Sequence, residues 1–436
     1  MNNKKLFPAL LLAGTLFAAG ATTTQAQQTL TKEITQEVPS QKGSLIRIVT
    51  SSRKVAIKSW DQNKVKVTME LVYDTSLARK TRTDADWFED LGVNIKPFSN
   101  RVDILTSTTS GAYSKNLRTT GQGFVTIHEQ GNIKYKTAPN SVYIDGQARS
   151  LNDVTVKALS SKIGIGVVAV RIMNVMIPAG CKLDIENKYG DVVIGMNVDE
   201  AKLEINNGAL DAQDIKDLKL TGTYCNANLG NIDKAEVEFT NGTFRAQNIN
   251  DLDMDSKSST IEYEKGNYLY VRSQADNYTI DAIDKVDGRK VYGSFKIDQL
   301  NNSFDLEGNN VDIKFRNIGP DVTLIKINNK YGDVRLPVKN LKNYYVDFIG
   351  NYSTVFAPFQ KEVVKEEEKK EEKKEGDGDA KLKDVVVTGY AQNYRKGGAS
   401  GVGEVAPRHF TSAVGDTKGK HTRIELTCHS CTVDFK

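Results

Sequence analysis

The stretch AKLEINNGALDAQDIKD at residues 201–217 is followed by LKLTGTYCNANLGNIDK at 218–234, and the two share one pattern. In both stretches apolar side chains stand at positions 1, 3, 10, 12 and 15 of a 17-residue unit. Alternating apolar and polar residues have the period of two that a β-strand needs to bury one face. Each unit therefore predicts two short strands separated by a corner at positions 5 to 8.

The same frame fits eleven units of the chain. These open at Leu183, Ala201, Leu218, Ala235, Leu252, Leu269, Val286, Phe304, Ile325, Val346 and, after a long interruption, Ile424. Position 8 is Gly, Ser or Cys in nine of the eleven units, with Asp276 and Val311 as exceptions. A small residue there indicates a sharp turn or a positive φ.

A unit of this size cannot bury its own apolar face, but stacked units share one continuous interior. We therefore predict an all-β fold, a single-stranded parallel β-solenoid (β-helix) with coils of about 17–21 residues. An antiparallel β-sandwich is the alternative, because it also alternates strands and turns. A sandwich gives no reason for one register to persist through successive units.

The first 26 residues are predicted to be a signal peptide. Lys4 and Lys5 precede an apolar run, and Thr24-Gln25-Ala26 ends in a small-residue cleavage pattern. Loss of the two lysines lowers the formal charge from +4 to +2, which leaves no strong field to attract nucleic acid. We expect an exported protein in the periplasm, at the outer membrane or outside the cell. No membrane-spanning segment is expected after signal removal.

The rest of the chain divides by pattern and composition. Ile46, Ile48, Val55, Ile57 and Trp60 already fit the repeat frame, and the register is then lost until about residue 180. The predicted regions are 27–180, an N-terminal β region with the first coils and a loop-rich insert; 181–358, the β-solenoid repeats; 359–380, a charged Lys/Glu linker; 381–422, a Gly-rich excursion projecting from the stack; and 423–436, a terminal coil that docks as the last one.

One motif occurs twice, as Asn187-Lys-Tyr-Gly-Asp-Val192 and again at 329–334. With Lys58-Ser-Trp-Asp61 and Ile177-Pro-Ala-Gly180, it resembles the "putative adhesin" family of exported bacterial β-helix proteins of unknown function, whose relatives include autotransporter-adhesin-like heads. The resemblance covers roughly residues 44–358. It implies a stacked β architecture in the cell envelope and supplies no catalytic residue.

Position 7 carries a column of tyrosines that we predict to be a binding surface. Its members are Tyr189, Tyr224, Tyr292, Tyr331 and Tyr352, with Asn at several intervening units. Stacked coils would align them along one edge, and exposed tyrosines supply rigid contact area for a protein or glycan of the envelope or of a host surface. The alternative is a structural ladder that only covers the corner.

The segment Asp384 to Tyr390 resembles the start of the plug in TonB-dependent outer-membrane importers. Val385, Val386, Val387 and Tyr390 would bind a partner by strand addition. The alternative is a strand that covers an edge of this protein itself.

Cys428 and Cys431 are predicted to form a disulfide in an oxidising compartment. A zinc site would need further Cys or His ligands nearby, and we predict neither metal nor cofactor.

The sequence favours a non-catalytic structural or adhesive scaffold, not an enzyme. The runner-up is an accessory binding module of a TonB-dependent transport system. A polysaccharide-active enzyme is a third class, because some β-solenoids cleave glycans with paired carboxylates.

Overall fold

The computed structural model describes residues 29–51, 53–74, 83–106, 117–120, 124–129, 132–138, 141–144, 147–150, 169–364, 404–405 and 408–436. The predicted signal peptide lies outside these residues. The described part is built from β-strands with one short helix. No helix within it is long and apolar enough to cross a membrane.

The N-terminal elements are β1 (Thr29–Pro39), β2 (Leu45–Ser51), β3 (Lys54–Trp60), β4 (Lys64–Asp74), α1 (Asp84–Asp90), β5 (Val93–Pro97), β6 (Arg101–Thr106), β7 (Leu117–Thr120), β8 (Phe124–Glu129), β9 (Asn132–Ala138), β10 (Ser141–Ile144), β11 (Gln147–Ser150) and β12 (Ala169–Pro178). The repeat elements are β13 (Lys182–Lys188), β14 (Val192–Ile194), β15 (Val198–Ala212), β16 (Ile215–Leu229), β17 (Ile232–Thr240), β18 (Thr243–Lys257), β19 (Thr260–Ile318) and β20 (Leu324–Leu336). The C-terminal elements are β21 (Tyr344–Asn351), β22 (Thr354–Phe356), β23 (Glu362–Val363), β24 (Glu404–Val405), β25 (His409–Val414) and β26 (Thr422–Phe435).

Successive repeat units pair in parallel and hold the predicted register. Ala201 faces Leu218, Leu218 faces Ala235, and Leu252 faces Leu269. This rules out the antiparallel sandwich for these units. The residues in the predicted apolar slots are buried against one continuous core. Burial of each such side chain contributes about 1.5–3 kcal/mol, which explains why the slots stay apolar from unit to unit.

The coil built from β2 and β3 lies beside the coil built from β13 and β14, although a long insert separates them in sequence. Ile46 faces Leu183 and Val55 faces Val192, as the repeat frame predicts. On its outer side β2 pairs with β6, and β3 pairs with β12. β12 then pairs antiparallel with β4, β4 with β1, and β6 with β5, so antiparallel strands close this end of the stack.

The C-terminal strand is not the last coil of the stack, and that prediction is wrong. β26 lies between β20 and the β21–β22 coil: Ile424 faces Ile325 on one side and Val346 on the other. The chain thus forms the β21–β22 coil first, and β26 then inserts between that coil and β20. The apolar slots of 424–435 identify a coil, but they carry no information about which coils become its neighbours.

The predicted excursion is corrected where the structure describes it, at 404–405 and 408–422. β25 pairs antiparallel with β21, β23 pairs with β25, and β24 pairs with β22, so these strands cover the end of the stack instead of projecting from it. The start of the predicted linker packs as well: the Phe359 ring lies 5.0 Å from Phe435 and 5.9 Å from Tyr344.

The described residues of the insert between the first coils include a second sheet. β7 to β11 form a five-stranded antiparallel sheet in which each strand pairs with the next. The repeat frame did not reveal these strands, because they are short and do not follow the 17-residue spacing.

Candidate functional site

The outer corner of each of the eleven repeat units is made by a residue with a left-handed backbone. Among the described residues, every non-glycine residue with positive φ stands at position 7, with φ between 49° and 62°. They are Tyr189, Asn207, Tyr224, Asn241, Ser258, Ala275, Tyr292, Asn310, Tyr331, Tyr352 and Ser430. At position 8 the sequence left a sharp turn and a positive φ open, and within the described repeat only Gly293 and Gly332 show positive φ there.

Where position 8 is a glycine, the neighbouring coil lies too close for a Cβ. A Cβ on Gly208 would lie 2.0 Å from the carbonyl oxygen of Gly190, and one on Gly242 would lie 2.0 Å from that of Cys225. Adjacent coils run roughly 4.8 Å apart, so these two glycines have no room for a side chain, whereas Cys225, Asp276 and Val311 carry a buried one at the same position.

Five of the corner residues are tyrosines, and we call them the tyrosine ridge. Their exposed fractions are 49% for Tyr189, 59% for Tyr224, 50% for Tyr292, 50% for Tyr331 and 85% for Tyr352. Asn tolerates the left-handed region, whereas a bulky side chain there costs about 1–2 kcal/mol. The ridge therefore holds large rings in solvent in a backbone conformation that does not favour them.

The repeated Asn-Lys-Tyr-Gly-Asp-Val motif braces two of these corners from inside. The buried Asn329 amide donates to the carbonyl oxygens of Val311 and Tyr331, both at 2.9 Å. The equivalent Asn187 amide donates to the carbonyl oxygen of Arg53 at 3.2 Å. The motif is thus a corner-forming unit that ties one coil to the coil before it.

At the C-terminal end of the ridge a histidine joins the tyrosines. The His429 ring lies 5.8 Å from the Tyr331 ring and 5.9 Å from the Tyr352 ring, edge-to-face with both. Sequence reasoning missed this contact because it depends on β26 lying between the two tyrosine-bearing coils.

A polar network lies inside the stack behind Ser258 and Ala275, two of the corners that carry neither Tyr nor Asn. The Asp276 carboxylate accepts hydrogen bonds from the hydroxyls of Ser256 (2.8 Å) and Ser273 (2.5 Å) and from the Ser259 backbone N–H (2.6 Å). All three donors are buried, as is Asp276 itself. The carboxylate is therefore fully desolvated and held by several donors.

Lys290 and Tyr278 complete this network. The Lys290 ammonium donates to the Ser273 hydroxyl at 3.0 Å and to the Asp276 carbonyl oxygen at 2.7 Å, and the Ser256 and Tyr278 hydroxyls are 2.6 Å apart. Burial lowers the pKa of Lys290 to about 8 and raises the pKa of Tyr278. No solvent reaches these groups, so the network braces the interior. Sequence reasoning missed the network because Lys290 stands at position 5, in the corner and outside the predicted apolar slots.

The opposite corner, which we call the amide corner, lies at positions 13 to 17. Its side chains hydrogen-bond to one another along the stack. The Asn231 amide donates to Asp214 at 3.0 Å, and Asn248 donates to Asn231 at 2.6 Å. A second column repeats this arrangement, with Asn250 donating to Asp233 at 3.1 Å and Asn267 donating to Asn250 at 3.3 Å.

Cys428 and Cys431 are buried thiols in the structure, on either side of the Ser430 corner. A hydrogen bond with Cys431 and burial raise the pKa of Cys428. The proposed disulfide stays a prediction.

The proposed partner strand, Val385, Val386, Val387 and Tyr390, lies outside the described residues. Within those residues no group of three or more His, Cys, Asp or Glu side chains is placed to hold a metal ion.

Residues 119–389, more than half of the chain, match the family model described as Toastrack DUF4097. The chain belongs to the Toastrack DUF4097 family. Toastrack is a β-solenoid-like fold, in agreement with the stacked all-β units. No curated protein matches the chain. One similar solved structure is a "putative cell adhesion protein from Clostridium sporogenes ATCC 15579", at 8% identity over 93% of this chain and 100% of that chain, with a TM-score of 0.18.

Proposed function

We propose that this Toastrack protein is an exported, non-catalytic scaffold of the cell envelope, wound as a single-chain parallel β-solenoid, and that the tyrosine ridge is its contact surface. The parallel pairing of successive units supports the winding. The match to the Toastrack family model, a β-solenoid-like fold, supports the stacked architecture.

The observation that carries the proposal is the residue choice at position 7. Asn207, Asn241 and Ser258 adopt the same left-handed backbone as the tyrosines, so the fold does not require a ring there. The fold does not need a ring at this position, and the left-handed backbone disfavours one. The tyrosines therefore point to a role in binding and not in folding.

The chemistry of the ridge suits a neutral ligand. The formal net charge is only +4 for the whole chain, which offers weak long-range attraction for charged partners. Exposed tyrosines provide flat apolar area and a hydroxyl, and the asparagines between them provide amide donors and acceptors. A protein or glycan of the envelope or of a host surface presents groups that match this combination.

The test is retention of the purified protein on an isolated envelope fraction. Replacing Tyr331 and Tyr352 with Asn keeps the left-handed corners and removes two rings, so the fold is kept while retention falls. Tyr270→Asn is the matched control, because Tyr270 is exposed but lies outside the ridge. Retention of the double variant equal to that of wild type would overturn the proposal.

The accessory function in TonB-dependent transport rests on Val385 to Tyr390 and stays a prediction. Deleting only 384–390 leaves β24 and β25 in place over the end of the stack. Recovery of an outer-membrane transport partner by the full chain, and its loss on this deletion, would favour the accessory function over the ridge.

A further inference from the structure

The tyrosines of the C-terminal half of the ridge stand on alternate coils. The coil order there is Tyr292, Asn310, Tyr331, Ser430 and Tyr352, as the pairing of β19 with β20 and of β26 with both its neighbours shows. Neighbouring coils lie roughly 4.8 Å apart, so successive tyrosines are about 9.6 Å apart. Three rings thus present an apolar repeat of about 9.6 Å.

Resting on the function proposed above, we propose that these three rings bind a polyproline II segment of a protein partner. A polyproline II helix has three residues per turn and rises about 3.1 Å per residue, so the same face returns every 9.3 Å or so. The mismatch with the ring spacing is about 0.3 Å per turn. Each tyrosine can therefore meet an equivalent residue of the ligand.

Other regular peptide conformations fit the spacing less well. An extended strand presents the same face every 6.7 or 13.4 Å or so, values that lie on either side of the ring spacing. Seven residues of an α-helix rise about 10.5 Å, a mismatch of about 0.9 Å that doubles by the third ring. The polyproline II repeat is the one that stays in phase over all three tyrosines.

The polar groups between the rings match the same ligand. A polyproline II backbone makes no internal hydrogen bonds, so its carbonyl oxygens need donors from water or from the partner. Asn309 and Asn310 are exposed between the rings of Tyr292 and Tyr331 and offer amide donors there. Such ligands also lose little conformational freedom on docking to aromatic surfaces.

The ridge has a natural boundary on its other side. Ser258 and Ala275 occupy the corner before Tyr292, and neither offers a ring. The Tyr189–Tyr224 pair lies beyond this gap and keeps the alternate-coil spacing with Asn207 between. The three-ring segment is therefore a separate, longer site.

The experiment measures binding of a fluorescent peptide of about nine prolines, three turns long, to the full chain by anisotropy. The decisive variant exchanges two residues, Asn310→Tyr with Tyr331→Asn. The exchange keeps three rings and the left-handed corners. In wild type each ring lies two coils from the next; in the variant the first two rings lie one coil apart and the last two lie three coils apart. We expect binding about tenfold weaker than wild type, since a central aromatic contact is lost.

Tyr270→Asn is the control and binds the peptide as wild type does, and a Gly-Ser peptide of equal length does not bind. Equal affinity of wild type and the exchange variant would overturn the inference, because ring number and not spacing would then decide. Absence of proline-peptide binding would also overturn it. If envelope retention still depended on Tyr331 and Tyr352 in that case, the proposed function would stand, with a glycan or another kind of protein surface as the ligand.

Discussion

The tyrosine corner and the amide corner turn the same chain in every coil, but their side chains differ in what they contact. At the amide corner, Asp214, Asn231 and Asn248 satisfy one another by hydrogen bonds along the stack. At the tyrosine corner, Tyr224 and Tyr352 project exposed rings from left-handed backbone.

This difference separates a structural column from a candidate binding column. The amide corner is complete within the chain, because each of those amides has a partner one coil away. The tyrosine corner leaves its side chains available to a partner molecule. This corner is stabilised from the interior of the stack by hydrogen bonds of buried groups such as Asn329 and Asp276. Substitutions at the two corners should therefore have unequal effects.

The largest effect is expected inside the tyrosine corner. Asp276→Ala removes the acceptor for two buried serine hydroxyls and a backbone N–H and leaves Lys290 beside a cavity. We expect the free energy of unfolding to fall by about 3–5 kcal/mol. Asp284→Ala, at the amide corner, removes one bond at 2.9 Å from Asn301 and should cost less than about 1 kcal/mol. Chemical denaturation measures both, and equal losses would contradict the comparison.

The next effect tests how closely the coils approach at the two corners. Gly242→Ala places a Cβ 2.0 Å from a carbonyl oxygen of the adjacent coil, whereas Gly195→Ala at the amide corner meets its nearest atom at 3.5 Å. We expect Gly242→Ala to lower the free energy of unfolding by about 3 kcal/mol and Gly195→Ala to stay within about 0.5 kcal/mol of wild type. A tolerated Gly242→Ala would show that the tyrosine corner can widen.

The pH dependence of stability follows from Lys290. Its pKa in the folded protein, about 8, lies below the unfolded value of about 10.4. Between these values the unfolded chain binds more protons, so stability rises with pH across this window.

The rise is at most about 3 kcal/mol, at about 1.4 kcal/mol per pKa unit. Lys290→Met should remove this rise in stability. The measurement is chemical denaturation of wild type and of the variant at pH 8 and at pH 10.5, which gives the change in the free energy of unfolding for each protein. Parallel pH profiles would contradict the buried position of the ammonium group.

The smallest effect has opposite signs at the two corners. Tyr224→Asn relieves left-handed strain and should raise the free energy of unfolding by about 0.5 kcal/mol. Asn250→Ala breaks hydrogen bonds to two neighbouring coils and should lower it by about 1 kcal/mol. A destabilised Tyr224→Asn would mean that the ring stabilises the fold, and it would support the structural ladder over a binding surface.

The sequence predicted the repeat well because its signals are local. The apolar slots and the corner can be read within single units, and the tyrosine column follows from aligning them. The sheet of β7 to β11 was missed because its short strands follow another spacing. The His429 contact was missed because Tyr331 and Tyr352 meet it only through coil order.

By itself the sequence determined the 17-residue period, the inward face of each strand and the place of each corner, because alternation and turn chemistry act between near neighbours in the chain. Only the tertiary structure decided which coils stack on which. Any coil with apolar slots and free backbone groups can pair with any other, so the insertion of 422–435 between two earlier coils depends on contacts between residues far apart in sequence. The same contacts fix the left-handed corners and the enclosed Asp276 network, since both are set by the coil on either side.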